Sequence, residues 1–396
     1  MHKFFYELNS LIVNGELTIS GIGDLEDFDS RLHPLLWKIL LNYLPKDTTD
    51  WNQHLLDKRN IYKDYVNTYI IENSYKQDPD PLSQNSGYSK FLEDNLVLAQ
   101  INKDCLRIFP DFNFYREHTD YPFKLIYPNS TYSYSALRKR VKNYDIDSTV
   151  DLNNEICGSL ILKEISKKKQ TSTYDEENEY QWEIIQRILF IYYKKTNFRY
   201  YQEMCEIIAM IYFVFYQEVD ETWKMHVECD TYFCFENLME EISINFEKNF
   251  TPTYGIGAKM MSIPIIVEFF DKELYQNIKV KDLRMEYFGY RWISLMLAQE
   301  FHFESTIRIW NQLFIDRNRF DLLLFICSAM LLMDREKLLE LDFAQSIVRL
   351  QHYETKNIDD LLKFAKRLYQ EKDAIFRYQT DPNSLEILRS AFNSFH

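Results

Sequence analysis

Few residues in this chain can break a helix. Only 8 glycines and 10 prolines occur in 396 residues. That scarcity argues against Gly-rich barrels and sandwiches and favours many helices joined by short connections. Positive charge is also short: 46 Lys and Arg face 60 Asp and Glu, for a formal net charge of −14. Nucleic-acid binding, which needs cations to replace counterions on phosphate, is disfavoured. Cysteines stand at 105, 157, 205, 229, 234 and 327, with no C-x-x-C pair. Zinc-ribbon and thioredoxin arrangements are therefore absent, and a reducing compartment is the simpler expectation. The longest apolar run, Leu322 to Met333, is closed by Asp321 and Asp334. It falls short of the roughly 20 residues that span a bilayer and reads as a buried core helix. The opening Met1-His2-Lys3-Phe4-Phe5 lacks the apolar stretch of a secretory leader.

Several catalytic signatures are missing too. There is no G-x-x-x-x-G-K-[ST] phosphate loop and no G-x-S-x-G nucleophile elbow. Gly255-Ile256-Gly257 is too short to imply a phosphate cradle. His226, Glu228 and Asp230 alternate, but residues two apart do not share a helical face, so a metal site is not expected. Cys229 and Cys234 lack a second pair of ligands.

What is present is helical periodicity. Hydrophobic residues make up 46% of the chain, enough for a sizeable core. A helix is expected from Arg31, with Leu35, Leu36, Ile39, Leu40 and Tyr43 on one face, closed by Pro45. A second runs through Leu55, Leu56, Ile61, Tyr62 and Tyr65. Residues 74–90 and 165–180 read as polar connections. Phe91 to Gln100 and the Trp182–Tyr192 pattern are helical, as are stretches near 204–217, 229–247, 288–300, 303–314, 320–333 and 357–371. The basic run Arg138-Lys139-Arg140-Val141-Lys142 reads as a solvated helix face. No fixed-period repeat and no useful two-residue alternation occur, so the class is all-α.

Two segments carry chemistry. Ile101-Asn102-Lys103-Asp104-Cys105-Leu106-Arg107 places an arginine three residues after an aspartate, and Tyr200-Tyr201-Gln202-Glu203-Met204 sets a glutamine between a tyrosine and a methionine. Alone, an Asp-x-x-Arg pair is most often a surface ion pair of small value. The two together resemble the I-x-x-D-x-x-R and Y-x-Q-G-M motifs of the TBC family, whose members activate Rab GTPases.

Other pieces carry the same resemblance. Arg31-Leu32-His33-Pro34-Leu35-Leu36-Trp37 through Tyr43-Leu44-Pro45 looks like the family's opening helix. Arg291-Trp292, Glu300-Phe301, Arg308-Ile309-Trp310 and the stretch Asp230 to Phe235 resemble later family segments. Asp120-Tyr121-Pro122, the Ile188–Tyr192 run and Asn318-Arg319-Phe320-Asp321 are similar to a short class of the family called member 13, in which the domain is nearly the whole protein. The likeness covers about residues 25–375.

The resemblance implies an all-helical, two-lobed, V-shaped domain with both motifs on the first lobe. The corresponding divisions are a peripheral segment 1–30, lobes 31–217 and 218–375, and a tail 376–396. It also implies roles. Arg107 would be an arginine finger and Gln202 a glutamine finger that replaces the GTPase's own glutamine. Asp104 would hold the guanidinium, and Tyr200 and Met204 would support the second loop. An arginine given in trans neutralises charge on the transferring phosphoryl group, worth about 10³–10⁵ in rate. A glutamine amide both accepts and donates, which suits it to orienting the attacking water. The implied partner is a Rab-family small GTPase bringing its own GTP and Mg²⁺, with no cofactor or metal held by this chain. The implied setting is cytoplasmic, with recruitment to Rab-bearing membranes.

Three positions depart from the family pattern. Glu203 stands where the motif has glycine, Asn311 where aspartate is usual, and Ile108 where threonine is frequent. Glycine permits close backbone approach or a left-handed dihedral. Glutamate at 203 therefore leaves open a second reading, a TBC-fold binding or structural protein with little catalysis.

Overall fold

The computed structural model describes residues 33–71, 87–127 and 178–393, apart from 46, 317 and 356, together with 137, 140 and 141. The expected connections over 74–86 and 165–177, and Arg138, Lys139 and Lys142 of the basic run, lie outside the described residues. So do Arg31 and Leu32.

The chain is all-α. Among the described residues the only strand-like pairing is one isolated bridge between His118 and Tyr180. In order, the helices begin with α1 (His33–Leu40), α2 (Trp51–Val66) and α3 (Gly87–Cys105). Next come α4 (Gln181–Thr196), α5 (Glu203–Tyr216) and α6 (Val227–Ile242). They are followed by α7 (Gly255–Phe270), α8 (Lys272–Val280), α9 (Gly289–Ser294), α10 (Phe303–Ile315) and α11 (Asp321–Met333). The chain closes with α12 (Arg335–Glu340), α13 (Phe343–Gln351), α14 (Ile358–Gln370), α15 (Lys372–Tyr378) and α16 (Pro382–Asn393).

Two compact units share these helices. One comprises residues 52–212 and 220–232; the other comprises 1–51, 213–219 and 233–396. The first unit carries both motifs. Its frame is α3 packed against α4. Ile184, Ile185, Ile188, Leu189, Phe190 and Ile191 of α4 are buried, and Leu98, Ala99 and Ile101 of α3 are buried too. Polar groups fix the register: Lys194 pairs with Asp94, and Gln186 donates to Asn102 at 3.2 Å. Arg140 does not behave as the solvated residue expected of its run. Its Nε bonds Asn95 Oδ1 at 2.9 Å, and its guanidinium lies over the rings of Phe91 and Phe190. The guanidinium is held there by the two rings and the Asn95 hydrogen bond.

A buried ion cluster ties the rest of this unit. Arg187 is fully buried, and its guanidinium contacts Glu179 and, at 2.6 Å, Glu228. Tyr62 donates to Glu228 at 2.7 Å. Each charge in the cluster is thus paired and hydrogen-bonded, the condition under which burial of charge is tolerated.

The second unit is built on α7, which packs against α11 and α16, while α11 packs against α14. The sequence reading missed α7 because its glycines and Pro264 look like breakers. Instead Gly255 opens the helix at φ +52, and a Cβ on Gly257 would stand 2.2 Å from the Thr251 carbonyl oxygen. Glycine is needed at 257 for that backbone approach. The stretch 288–300 is also not one helix. α9 ends at Ser294, and Met296 and Leu297 adopt left-handed φ of 47° and 65°. Trp310 Nε1 binds the freed Met296 carbonyl at 2.9 Å, which compensates the break. α1 likewise ends before Pro45, at a left-handed Asn42 of φ 55°.

The later family-like pieces are structural contacts. Arg291 clasps Glu300 through Nε at 2.6 Å. Arg319 binds Glu241 at 2.8 and 2.7 Å and the Leu40 carbonyl at 2.9 Å. Asn311, buried, accepts from Trp37 Nε1 at 2.6 Å and meets His33 Nε2 at 3.1 Å, so the amide serves packing at this position.

Candidate functional site

Both motif segments lie at helix ends. α3 stops at Cys105, and the chain tightens into a turn in which Arg107 N bonds the Asp104 carbonyl at 2.9 Å. Helices must leave their last carbonyls to such turns or to side chains. Here Ile101, Cys105 and Ile108 are buried and anchor the turn, while Leu106 and Arg107 are exposed. Ile108 is therefore a packing residue beneath the finger position.

The backbone after Arg107 is strained, with Phe109 at φ 36°. One side chain holds it. The Arg116 guanidinium donates to the carbonyls of Ile108 at 3.0 Å, Phe109 at 3.2 Å and Phe112 at 3.0 Å. A fixed planar fork suits three carbonyls on one bend. Sequence reasoning missed Arg116, which follows an aromatic stretch without a recognisable pattern.

The second segment approaches through Asn197, in the left-handed region at φ 54° at the end of α4. Gln202 is exposed in the turn before α5, and its carbonyl accepts from Cys205 N at 3.0 Å. Met204 and Cys205 are buried, so α5 is pinned directly behind Gln202.

Two side-chain contacts join the segments. Tyr200 donates its hydroxyl to Asp104 Oδ2 at 2.9 Å, and Cys105 Sγ meets Cys205 Sγ at 3.5 Å. Asp104 is 5% exposed. Its other partner is Gln100, whose Nε2 contacts both carboxylate oxygens at 3.1 and 3.0 Å. The hydrogen bonds of Asp104 thus go to Gln100 and Tyr200, while Arg107 acts on it by charge. Burial raises the Asp104 pKa; the two hydrogen bonds and the charge of Arg107 pull it down, and the charge of Glu203 pushes it up. Burial, reinforced by neighbouring thiols and Asp104, keeps the Tyr200 phenol protonated and donating.

Glu203 is the first residue of α5 and is half-buried. It is not among the residues with positive φ, so no left-handed dihedral calls for glycine here. A carboxylate at a helix N-terminus is favoured by the helix dipole. Its charge is nevertheless close enough to act on Asp104, which places negative potential beside the segment that carries Arg107.

The arrangement presents a guanidinium and an amide from two interlocked turns. Among the described residues no group of three or more His, Cys, Asp or Glu is placed to hold a metal ion. The oxygens of Glu228 are engaged by Arg187 and Tyr62.

Comparison with known proteins identifies the family. Residues 122–339 match the model of the Rab-GTPase-TBC domain. TBC1 domain family member 13 of Homo sapiens is 36% identical over 382 residues, covering 90% of this chain and 93% of that protein. The chain belongs to the Rab-GTPase-TBC domain family. The mouse member 13 protein matches to the same extent, 36% over 382 residues. TBC1 domain family member 5 of Mus musculus is 24% identical over 333 residues, 82% of this chain and 38% of that protein. Among solved structures, the Ypt/Rab-GAP domain of Gyp1p aligns with a TM-score of 0.58 at 18% identity, covering 89% of this chain and 90% of that one. That likeness establishes the all-helical TBC fold. The family model begins after Arg107 and includes Gln202, so the glutamine turn lies inside the matched Rab-GTPase-TBC region.

Proposed function

We propose that this protein accelerates GTP hydrolysis by a Rab-family small GTPase, supplying Arg107 and Gln202 in trans. The observation that carries the reading is the junction of the two motifs. Exposed Arg107 and Gln202 sit on turns that share the Tyr200–Asp104 hydrogen bond and the Cys105–Cys205 contact. In this reading Arg107 neutralises charge on the transferring phosphoryl group, and Gln202 orients water in place of the Rab's own glutamine. Preorganised donors are effective because they are not reorganised at the moment of reaction. Arg116 and Asp104 position the turns and do not touch nucleotide. The Rab brings GTP and Mg²⁺. The protein works in membrane traffic, in the cytoplasm or on membranes bearing the partner Rab; among the described residues no helix is long and apolar enough to cross a bilayer.

The test is single-turnover hydrolysis across a panel of GTP-loaded Rabs with wild type, Arg107→Ala and Glu203→Gly. Stimulation by wild type that vanishes in Arg107→Ala, with the fold retained, supports the reading. Stimulation that survives in Arg107→Ala defeats the finger assignment.

One observation favours a second reading. Glu203, directly after Gln202, puts a half-buried carboxylate at the N-terminus of α5. Repulsion of phosphate there would leave a TBC-fold protein that binds but scarcely catalyses. In the same assay that reading predicts stimulation by Glu203→Gly alone.

A further inference from the structure

Away from the motif turns, the first unit contains a cavity of about 290 Å³ between α2, the single-turn helix Phe123–Ile126 with Tyr127, and the start of α6. None of its lining residues belongs to segments 101–107 or 200–204. One wall is the face of α2 formed by Leu56, Arg59, Asn60 and Lys63. Those positions follow the i, i+3, i+4, i+7 spacing of a single helical face. The facing wall includes Ile126, Tyr127, Met225 and Val227.

Two features of the α2 wall call for an anion. Arg59 is half-buried, and its Nε is shielded from solvent with no hydrogen-bond partner. A buried donor on a charged group left unpaired is costly. Lys63 lies four residues on, so two like charges stand on one face at the spacing where they repel. Tyr127 adds a neutral phenol, because burial and the nearby Glu228 charge raise its pKa.

The charges also limit the ligand. Glu228 lines the same cavity, bound to Arg187 and Tyr62. Arg187 is shared with Glu179, so one cation sits between two carboxylates behind this wall. Arg59 and Lys63 bring two positive charges and the Glu179–Arg187–Glu228 cluster one net negative charge, so together they match a single negative charge better than the two of a phosphate monoester. The remainder of the lining combines Leu56, Ile126, Ile184, Met225 and Val227 with Asn60, His226 and tyrosine rings, and ligand pockets run from about 300 to 1,000 Å³, so the space suits one ring or a short chain with its head group.

We propose that this cavity is a binding site for a small monoanionic carboxylic acid with an apolar body, its carboxylate held by Arg59 and Lys63. The inference is independent of the GTPase-activating reading.

The experiment is calorimetric titration of the full chain with 4-phenylbutyrate, its neutral amide and phenyl phosphate. Wild type is expected to bind 4-phenylbutyrate saturably, at least about tenfold more tightly than the amide and more tightly than phenyl phosphate. Arg59→Gln is expected to weaken the acid about tenfold without changing the amide. Lys63→Gln, on an exposed side chain, is expected to weaken it severalfold and keeps the test decisive if Arg59→Gln fails to fold. Absence of saturable binding to wild type, equal binding of acid and amide, tighter binding of phenyl phosphate, or full affinity in folded Lys63→Gln would each overturn the proposal.

Discussion

Removing one oxygen tests whether the two motifs act as a unit. Tyr200→Phe deletes the hydroxyl that donates to Asp104 Oδ2 at 2.9 Å. Asp104 is 5% exposed, so water cannot freely replace the lost donor, and Gln100 remains as its hydrogen-bond partner. Hydrogen bonds to charged groups contribute about 1.5–3 kcal/mol. The loss expected for Tyr200→Phe is about 2 kcal/mol. A cycle with Asp104→Ala, which removes the acceptor, separates the pairwise part from the cost of each change alone. Urea denaturation of wild type, both single variants and the double variant gives the coupling, expected at 1 kcal/mol or more. GTP hydrolysis by the Rab, measured with the same proteins as activators, should be stimulated less by Tyr200→Phe, although neither Arg107 nor Gln202 is altered. Coupling below about 0.5 kcal/mol, within the error of additivity for independent sites, refutes the claim that this bond joins the turns.

Other consequences are equally direct. Arg116→Met removes the fork from the carbonyls of Ile108, Phe109 and Phe112, and should lower stimulated hydrolysis about tenfold or more while affinity for the Rab changes less, as read by single-turnover rate against Rab concentration. Gly257→Ala forces a Cβ to 2.2 Å from the Thr251 carbonyl oxygen and should cost more than about 2 kcal/mol in urea midpoint experiments. Lys259 is fully buried, and burial lowers its pKa from 10.5 to about 7, against the opposing charge of Asp321. Between those values the unfolded chain holds the extra proton, so stability rises with pH by up to about 1.4 kcal/mol per pH unit. Over pH 7–9 wild type should gain that much relative to Lys259→Met; parallel curves would show that this lysine is not the source.

The sequence revealed helices of two kinds. α2 and α14 announce themselves through apolar spacing on one face, and α4 and α11, although largely buried, are legible as long apolar runs; the structure places all four close to the expected stretches. α7 was not legible, because Gly255, Gly257 and Pro264 interrupt its apolar run. Its Gly257 and Pro264 read as interruptions when tertiary packing makes them acceptable. The 288–300 stretch failed in the opposite sense: apolar spacing suggested one helix, but Trp310 pays for a break by binding the Met296 carbonyl.

The site was legible as motifs and not as a network. Arg107 and Gln202 stood out by residue type and context. The partners of Asp104 did not, since Gln100 lies one helical turn before it and Tyr200 nearly a hundred positions away in sequence. Arg116 acts through backbone carbonyls, which leave no trace in side-chain pattern. Glu203 shows the limit most clearly. A missing glycine suggested a special dihedral or a close backbone approach; position 203 has no left-handed φ, and what remains is the bulk and charge of the side chain.

The most direct test of the two-finger account uses a Rab whose own catalytic glutamine is replaced by alanine. Wild-type protein should still stimulate single-turnover GTP hydrolysis by that Rab, and Gln202→Ala should lose the effect. Stimulation unchanged by Gln202→Ala, or none by wild type on a Rab whose unaltered form it does stimulate, would contradict a glutamine supplied in trans.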